Sequence, residues 1–362
     1  MTKTKRCPTA CHGSILVAGL LAGCATTAPS WTDIAARNPA PTVTAVAETE
    51  AVATANADAA DDPAIWRNAA DPAASLIVAT DKKAGLYVYD LSGRRRHFAD
   101  AGRVNNVDLI ETTMRGKPIV LVAASDRSDP LMAKVALFRL NTDRAALEPL
   151  GTVPAGTGEA YGICLGSRAG ELDAFMVLKD GTINQIALDL SGADPVGSIV
   201  RTMKLASQSE GCVVDPRSER LYVAEEDVGI WRFDARRDAD IAAAAVAKVD
   251  GRTLVADVEG LALAPLADGG GLLVASSQGD NAYALYDLAD DRYVGRFRIA
   301  AGQFGATSET DGIEVAIGDF GPQFPEGLMV AQDGDNTPRA QNFKLVDWRA
   351  VRALLSQTEP GQ

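Results

Sequence analysis

Glu225, Glu226 and Asp227 stand side by side in RLYVAEEDVGIWRF (220–233), at the bend between two apolar, strand-like runs. Three neighbouring carboxylates repel one another, and one would suffice to make a turn soluble, so the cluster calls for a counter-ion. Acidic and amide residues also stand ahead of other apolar runs. A polar or acidic residue, a small residue and an apolar stretch recur as DDPAIW (61–66), NNVDLI (105–110), GEAYGICL (158–165), SEGCVV (209–214), VEGLAL (258–263) and TDGIEV (310–315). The candidates in these marks are Asp62, Asn106, Glu159, Glu210, Glu259 and Asp311, with Asp61, Asp108, Asp257 and Glu309 beside them. Any one of them is as well explained by a solvated turn; six in the same relative place are not. Gathered together they form an oxygen-only donor set, the kind that takes a hard divalent cation, Ca²⁺ above all.

Other bends carry the opposite charge. TDKKAG offers Lys82 and Lys83, SDRSD offers Arg127 and LKDG offers Lys179. Singly these are ordinary surface cations. If all the bends share one rim, the basic ones from the first half of the chain face the acidic ones from the second. Such a mouth suits a substrate with several anionic groups, some held by metal and others by Lys and Arg.

The composition narrows the chemistry further. Only two histidines occur, His12 and His97, which leaves no His-based zinc site, no histidine-nucleophile phosphatase and one poor candidate for a Ser–His–Asp triad. Lys and Arg total 35 against 48 Asp and Glu, a net charge of −13 that repels nucleic acid, and no basic stripe offsets it. The five cysteines show no CxxC or Cys/His metal spacing. Cys164 and Cys212 lie in apolar runs and read as buried, unpaired thiols, although a disulfide is permitted outside the cytoplasm.

The elements that must position these residues are hairpins. Strand–bend–strand segments recur at 75–91, 118–140, 174–188, 220–233, 272–288 and 328–348, at intervals of 43 to 56 residues. Six repeats of about 50 residues, each holding several short strands, predict an all-β, six-bladed β-propeller, in which the inner strands converge on one axis. Helical signals are few; DADIAAAAVAKV (238–249) reads as a short helix or an excursion between strands. TVTAVAETEAV (42–52) is placed to add an edge strand to the last blade and close the ring.

The N-terminus reads as an export signal. Lys3, Lys5 and Arg6 precede SILVAGLLAG (14–23), an apolar run too short to span a bilayer. It ends in LAGC, which resembles a bacterial lipoprotein signal with Cys24 as the lipidated residue. The organisation expected is a signal peptide at 1–23, a lipidated Cys and polar tether at 24–41, the propeller at 42–355 and a tail at 356–362. Loss of the signal shifts the net charge to −16. The expected product is a monomer, periplasmic or anchored in the outer membrane by its lipid alone.

Taken in order, DDPAIW with DKKAGLYVYDL, NNVDL, SQSEGCVVD, RLYVAEEDVGIWRF, DVEGLAL, ASSQGDNAYALYD, TSETDGIEV and AQDGDN with NFKLVDW resemble the β-propeller (alkaline) phytases from about Asp61 to Trp348. The resemblance implies a calcium-dependent phosphoric monoester hydrolase of the 3-phytase type, acting on myo-inositol hexakisphosphate. It implies several Ca²⁺ ions and direct attack of a calcium-bound water on phosphorus, without a phosphoenzyme. Carried over residue by residue, Asp61, Glu210, Glu226, Asp257, Glu259, Gln278 and Asp311 would hold the central ions, with Glu226, Glu210, Asp257 and Glu259 at the chemical step. Lys82, Lys83, Arg127, Tyr161 and Lys179 would bind phosphates at a cleavage site and a neighbouring affinity site. Asp62, Asn105, Asn106 and Asp108 would serve structural or accessory ions.

This chain departs from the family pattern in places. FGATSETDG has Gly305 and Ala306 where an acidic residue is expected, which would weaken a structural calcium site. The segment after AQDGDN is short, which puts a ligand role for Asp333 in doubt, and Asp180 replaces a longer acid. Two other readings use the same residues. One is a calcium-dependent lactonase-type hydrolase, which would not need Lys82, Lys83, Arg127 and Lys179. The other is a non-catalytic calcium-binding scaffold, which would need only structural ligands.

Overall fold

The structure is a computed structural model describing residues 1–2, 33, 36–267 and 269–358. Nearly all of the signal, Cys24 and most of the tether therefore lie outside the described residues. Among those described, no helix is long and apolar enough to cross a membrane.

Twenty-four of the strands and strand segments assemble as six four-stranded sheets, one of which gains a fifth strand. The inner strands are Ala60–Trp66, Val104–Met114, Ala160–Arg168, Ser209–Asp215, Val258–Pro265 and Ile313–Ile317, and they contact one another in cyclic order. This is the expected six-bladed β-propeller. Middle strands such as Leu76–Asp81 are buried along their whole length because blades cover both faces, so they read as continuous apolar runs. Outer strands such as Val196–Lys204 are mostly exposed. The buried side chains fall into six clusters, one at each blade interface: Ile163, Met176 and Leu121 between blades two and three, for example, and Met329, Val346 and Leu285 between five and six. A propeller has no common centre to fill, so its core is divided among these interfaces.

The N-terminal stretch closes the ring at two points. Ala47–Glu48 pairs antiparallel with Asn342–Asp347 as the fourth strand of blade six, as anticipated. Thr42–Thr44 adds in parallel to Tyr293–Ala300 of blade five, which was not anticipated. In blade four, 238–243 form no helix, and Ala244–Lys248 is the outer strand. A C-terminal helix, Trp348–Thr358, packs Trp348 and Val351 into the interface of blades five and six.

The expectation of two unpaired thiols does not hold. Cys164 and Cys212 form a disulfide between the inner strands of blades three and four, with Cα atoms 5.8 Å apart.

Candidate active site

Five of the six inner strands change register at the same place. In blade one, Ala60 pairs with Asp81 and Pro63 with Ala79, so Asp61 and Asp62 face Thr80 alone. Asn105 and Asn106 face Ser125 in the same way, Glu210 and Gly211 face Ala224, and Glu259 and Gly260 face Ser276. In blade three Tyr161 is the extra residue. In blade six Asp311 and Gly312 precede the first pair, and the Asp311 N–H donates to the Gln332 side chain at 2.9 Å. A bulge bends the strand and re-aims a side chain. Repeated in five blades, and matched in blade six by Asp311 just ahead of the first pair, it turns one residue per blade toward the same end of the axis.

The residues so presented are Asp61, Asn105, Tyr161, Glu210, Glu259 and Asp311. This corrects the ring expected from sequence in three blades. The Asp–Asp and Asn–Asn pairs hide the phase of the bulge, so the first member, not Asp62 or Asn106, takes the position. Glu159 lies two residues before Tyr161 and is instead ion-paired to Arg127.

The small residue of the repeated mark also finds its reason. A Cβ on Gly162 would lie 1.9 Å from the Glu210 carbonyl oxygen, on Gly211 2.2 Å from that of Glu259, on Gly260 2.7 Å from that of Asp311, and on Gly312 2.6 Å from that of Asp61. The inner strands approach so closely at the mouth that only glycine fits against the next backbone.

Of the three carboxylates at the opening bend, one reaches the site. Glu225 is buried and accepts from the Ser207 N–H, the Ser207 hydroxyl and the Trp231 indole, which fixes the bend, while Asp227 is exposed. Glu226 lines a cavity of about 790 Å³ together with Lys82, Tyr161, Gln208, Glu210, Asp257, Glu259, Gln278 and Asp311. Oxygens of Glu210, Glu226 and Glu259 come within 4.8 Å of one another. Asp61 Oδ1, Glu226 Oε1 and Glu259 Oε2 are buried without a hydrogen-bond partner. Buried anionic oxygens are costly unless paired, so this donor set fits a hard cation.

Electrostatics reflect the crowding. Burial, and then the Asp61 charge, pushes Asp311 up to about 7. Burial also lifts Glu210 and Glu259 well above the usual carboxylate range, with Asp61 and Glu210 respectively adding to it. Glu226 is raised by burial and by Asp257 against the opposing hydrogen bond from Gln208, and Asp257 by burial and Asp227. Burial alone would lower the Lys82 pKa, but Asp61, Asp311 and Asp58 more than reverse it. The Lys82 ammonium lies 3.0, 2.9 and 2.8 Å from those three carboxylates. The basic and acidic halves of the mouth are thus interleaved at Lys82, not separated by half-turns of the ring.

The remaining cations surround Tyr161. Arg127 lies 5.4 Å and Lys179 5.1 Å from its ring centre, and Arg127 also donates to Asn105. Burial, and then the Glu210 charge, raises the Tyr161 pKa, so its hydroxyl stays protonated. Lys83 is exposed at the bend and does not line the cavity.

Gln278 sits on a 3₁₀ turn, Gln278–Asp280, and donates to Asp311 Oδ1 at 2.7 Å. Asp280 anchors that turn through Ser277, Arg296 and Arg298. Gln208, unforeseen from sequence, donates to Glu226 Oε2 at 2.7 Å. A signal for it exists: it precedes Glu210 by two residues, as Asp257 precedes Glu259.

Asp62 and Asp108 point away from the cavity. Asp62 accepts the Val107 N–H at 3.0 Å and Asp108 the Leu165 N–H at 2.7 Å, linking each inner strand to the next. Glu314, also unforeseen, couples to both. Asp333 pairs with the fully buried Lys344 at 2.9 Å, and Glu48 with the same ammonium at 2.8 Å. That ammonium lies 3.7 Å from the Cβ position of Gly305, so a lysine neutralises the acids beside the departure noted above.

Fold and site together define a six-bladed propeller whose mouth gathers carboxylate oxygens and interleaved cations, a donor set that fits a divalent cation. The chain belongs to the Phytase family, whose model matches residues 11–359. It is similar to a 3-phytase of Bacillus subtilis (strain 168), with 39% identity over 329 residues that cover 87% of this chain and 86% of that protein.

Proposed function

We propose that the chain is a calcium-dependent 3-phytase-type phosphoric monoester hydrolase acting on phytate (myo-inositol hexakisphosphate). Family membership supports the reaction class. The observation that carries the metal dependence is the cluster of Glu210, Glu226 and Glu259 with its unpartnered buried oxygens.

Asp61, Glu210, Glu226, Asp257, Glu259, Gln278 and Asp311 would hold Ca²⁺, which supplies Lewis acidity, acidifies water and neutralises phosphate oxygens when bound. The protein's own residues do the rest. Glu226, pinned at Oε2 by Gln208, offers Oε1 to orient a water against phosphorus and to receive its proton. In this reading water attacks phosphorus directly, the P–O bond to the inositol breaks, and the departing alkoxide takes up a proton from solvent. The Tyr161 hydroxyl, held neutral, donates to a phosphate oxygen, and the Lys82 ammonium balances charge between that phosphate and Asp61 and Asp311. Arg127 and Lys179, beside the Tyr161 ring, bind a neighbouring phosphate, which favours a polyphosphorylated substrate over one carrying a single phosphate. A net charge of −13 repels a bare polyanion and favours one complexed with calcium.

The test is phosphate release from phytate by the chain from residue 25 onward. Added Ca²⁺ should be required and chelator should abolish turnover; chelator-resistant turnover would overturn the calcium dependence.

Export as a lipoprotein acylated at Cys24 is part of the same reading. The LAGC sequence supports it, as does the Cys164–Cys212 disulfide, which forms and persists in oxidising compartments. Metabolic labelling with a fatty acid should mark the full chain and not a Cys24→Ser variant.

A further inference from the structure

Tyr161 and Glu210 hold equivalent bulge positions on neighbouring inner strands, and those strands are joined covalently a short way below. Cys164 follows Tyr161 by three residues and Cys212 follows Glu210 by two. The disulfide between them crosses the boundary of blades three and four. Gly162, between Tyr161 and Cys164, leaves no slack, because its Cβ position falls 1.9 Å from the Glu210 carbonyl oxygen. Among the described residues no other blade boundary carries such a tie.

The location is telling. Blade three contributes Tyr161 and Lys179, the groups read here as holding phosphate, and blade four contributes Glu210 and Glu226, groups read as holding the cation. Noncovalent packing at this boundary, from Phe175, Val177, Leu221 and Val223, can slide by tenths of an ångström; a disulfide one turn of the pleat from both functional side chains cannot. A misplacement of about 1 Å between groups that must act on one phosphate costs up to about 100-fold in rate.

We propose that the Cys164–Cys212 disulfide is a positioning element for the reaction, setting the spacing between Tyr161 and Glu210 so that one phosphate and its cation are gripped together. The proposal rests on the phosphomonoesterase reading of the site.

The test compares the oxidised wild type with C164A/C212A in saturating CaCl₂, well below both melting temperatures. The expected result is a loss of about tenfold in kcat/KM on phytate, carried mainly by kcat. Calcium affinity, measured by calorimetry, should weaken several-fold as well. Because the bridge acts through Tyr161, the kinetic loss should shrink in a Tyr161→Phe background. Unchanged kinetics and calcium affinity with only a lower melting temperature would make the bridge a staple and overturn the proposal. So would losses that add in full to those of Tyr161→Phe. If the wild type releases no phosphate, the phosphatase reading fails; calcium titration then decides, and equal affinities with and without the bridge overturn the proposal. If C164A/C212A does not fold, wild type reduced with dithiothreitol, its two new thiols counted by titration, takes its place in each comparison.

Discussion

Gln208 donates its side-chain amide to Oε2 of Glu226 at 2.7 Å, while Oε1 of the same carboxylate is buried without a partner. One oxygen is thereby fixed and the other turned to the cavity. Gln208→Leu removes the only hydrogen bond to the carboxylate among the described residues, in a site where burial already resists its ionisation. Loss of a supporting hydrogen bond of this kind costs about 10–100-fold in activity or metal affinity. We expect that loss on phytate with Ca²⁺ present, and Gln208→Glu should be worse, because it adds a carboxylate. Steady-state kinetics on the two variants check this; activity within twofold of wild type would remove Gln208 from the site.

Lys82 and Lys179 should separate in their effects. Lys82 is buried among Asp58, Asp61 and Asp311, whereas Lys179 is half-exposed beside the Tyr161 ring. Lys82→Met strands buried carboxylates and should cost about 3–5 kcal/mol of stability in chelator. Added Ca²⁺ should recover part of it. Lys179→Ala should leave stability almost unchanged. It should raise KM for phytate more than for a simple aryl phosphate, because only phytate reaches a second phosphate position. Thermal melts and paired kinetics on both substrates test the contrast, and equal losses on the two substrates would contradict the two-phosphate arrangement.

The blades and the acidic marks at the head of each inner strand were legible because they repeat, and a repeat locates a residue without any knowledge of its contacts. The phase of the bulge was not legible in Asp61–Asp62 or Asn105–Asn106, where both members are polar. Asp58 and Glu314 repeat nothing conspicuous, and Gln208 repeats only its place two residues ahead of Glu210, as Asp257 stands ahead of Glu259; partners distant in sequence set their roles. The disulfide was within reach: Cys164 and Cys212 lie 48 residues apart, about one blade, inside marks already assigned to adjacent inner strands. The charges of the bends place Lys82 in a basic half of the mouth, whereas the axis brings blade one against blade six and sets Lys82 beside Asp311.

The glycine ring gives a packing prediction. Gly211→Ala would push a Cβ to 2.2 Å from the Glu259 carbonyl oxygen, a backbone atom that cannot swing aside. Overpacking of this sort costs about 1–3 kcal/mol. The strain falls on the segment that carries Glu259, so calcium affinity should drop along with the melting temperature. Gly295→Ala, on the outer strand of blade five, meets nothing nearer than Leu355 Cδ2 at 3.7 Å and should be tolerated. Melting curves and calcium titrations of the pair decide the matter.

The raised carboxyl pKa values fix the sign of a pH effect. Asp311 titrates at about 7 in the folded chain against an ordinary value of 3.8, and burial moves Glu210 and Glu259 in the same direction. Such groups keep their protons on folding, and their contribution is fully present below the unfolded pKa. As pH rises from about 4 through 7 the native state must give up protons that the unfolded chain has already released, and stability falls. On the proposed reading calcium would compete for the same oxygens, displacing protons as it binds. In chelator the melting temperature should therefore decline between pH 5 and pH 8, and the increase on adding Ca²⁺ should be larger at pH 8 than at pH 5. Scanning calorimetry at the two pH values, with and without CaCl₂, measures both. A calcium increment independent of pH would mean that these carboxylates are not the groups that bind the metal.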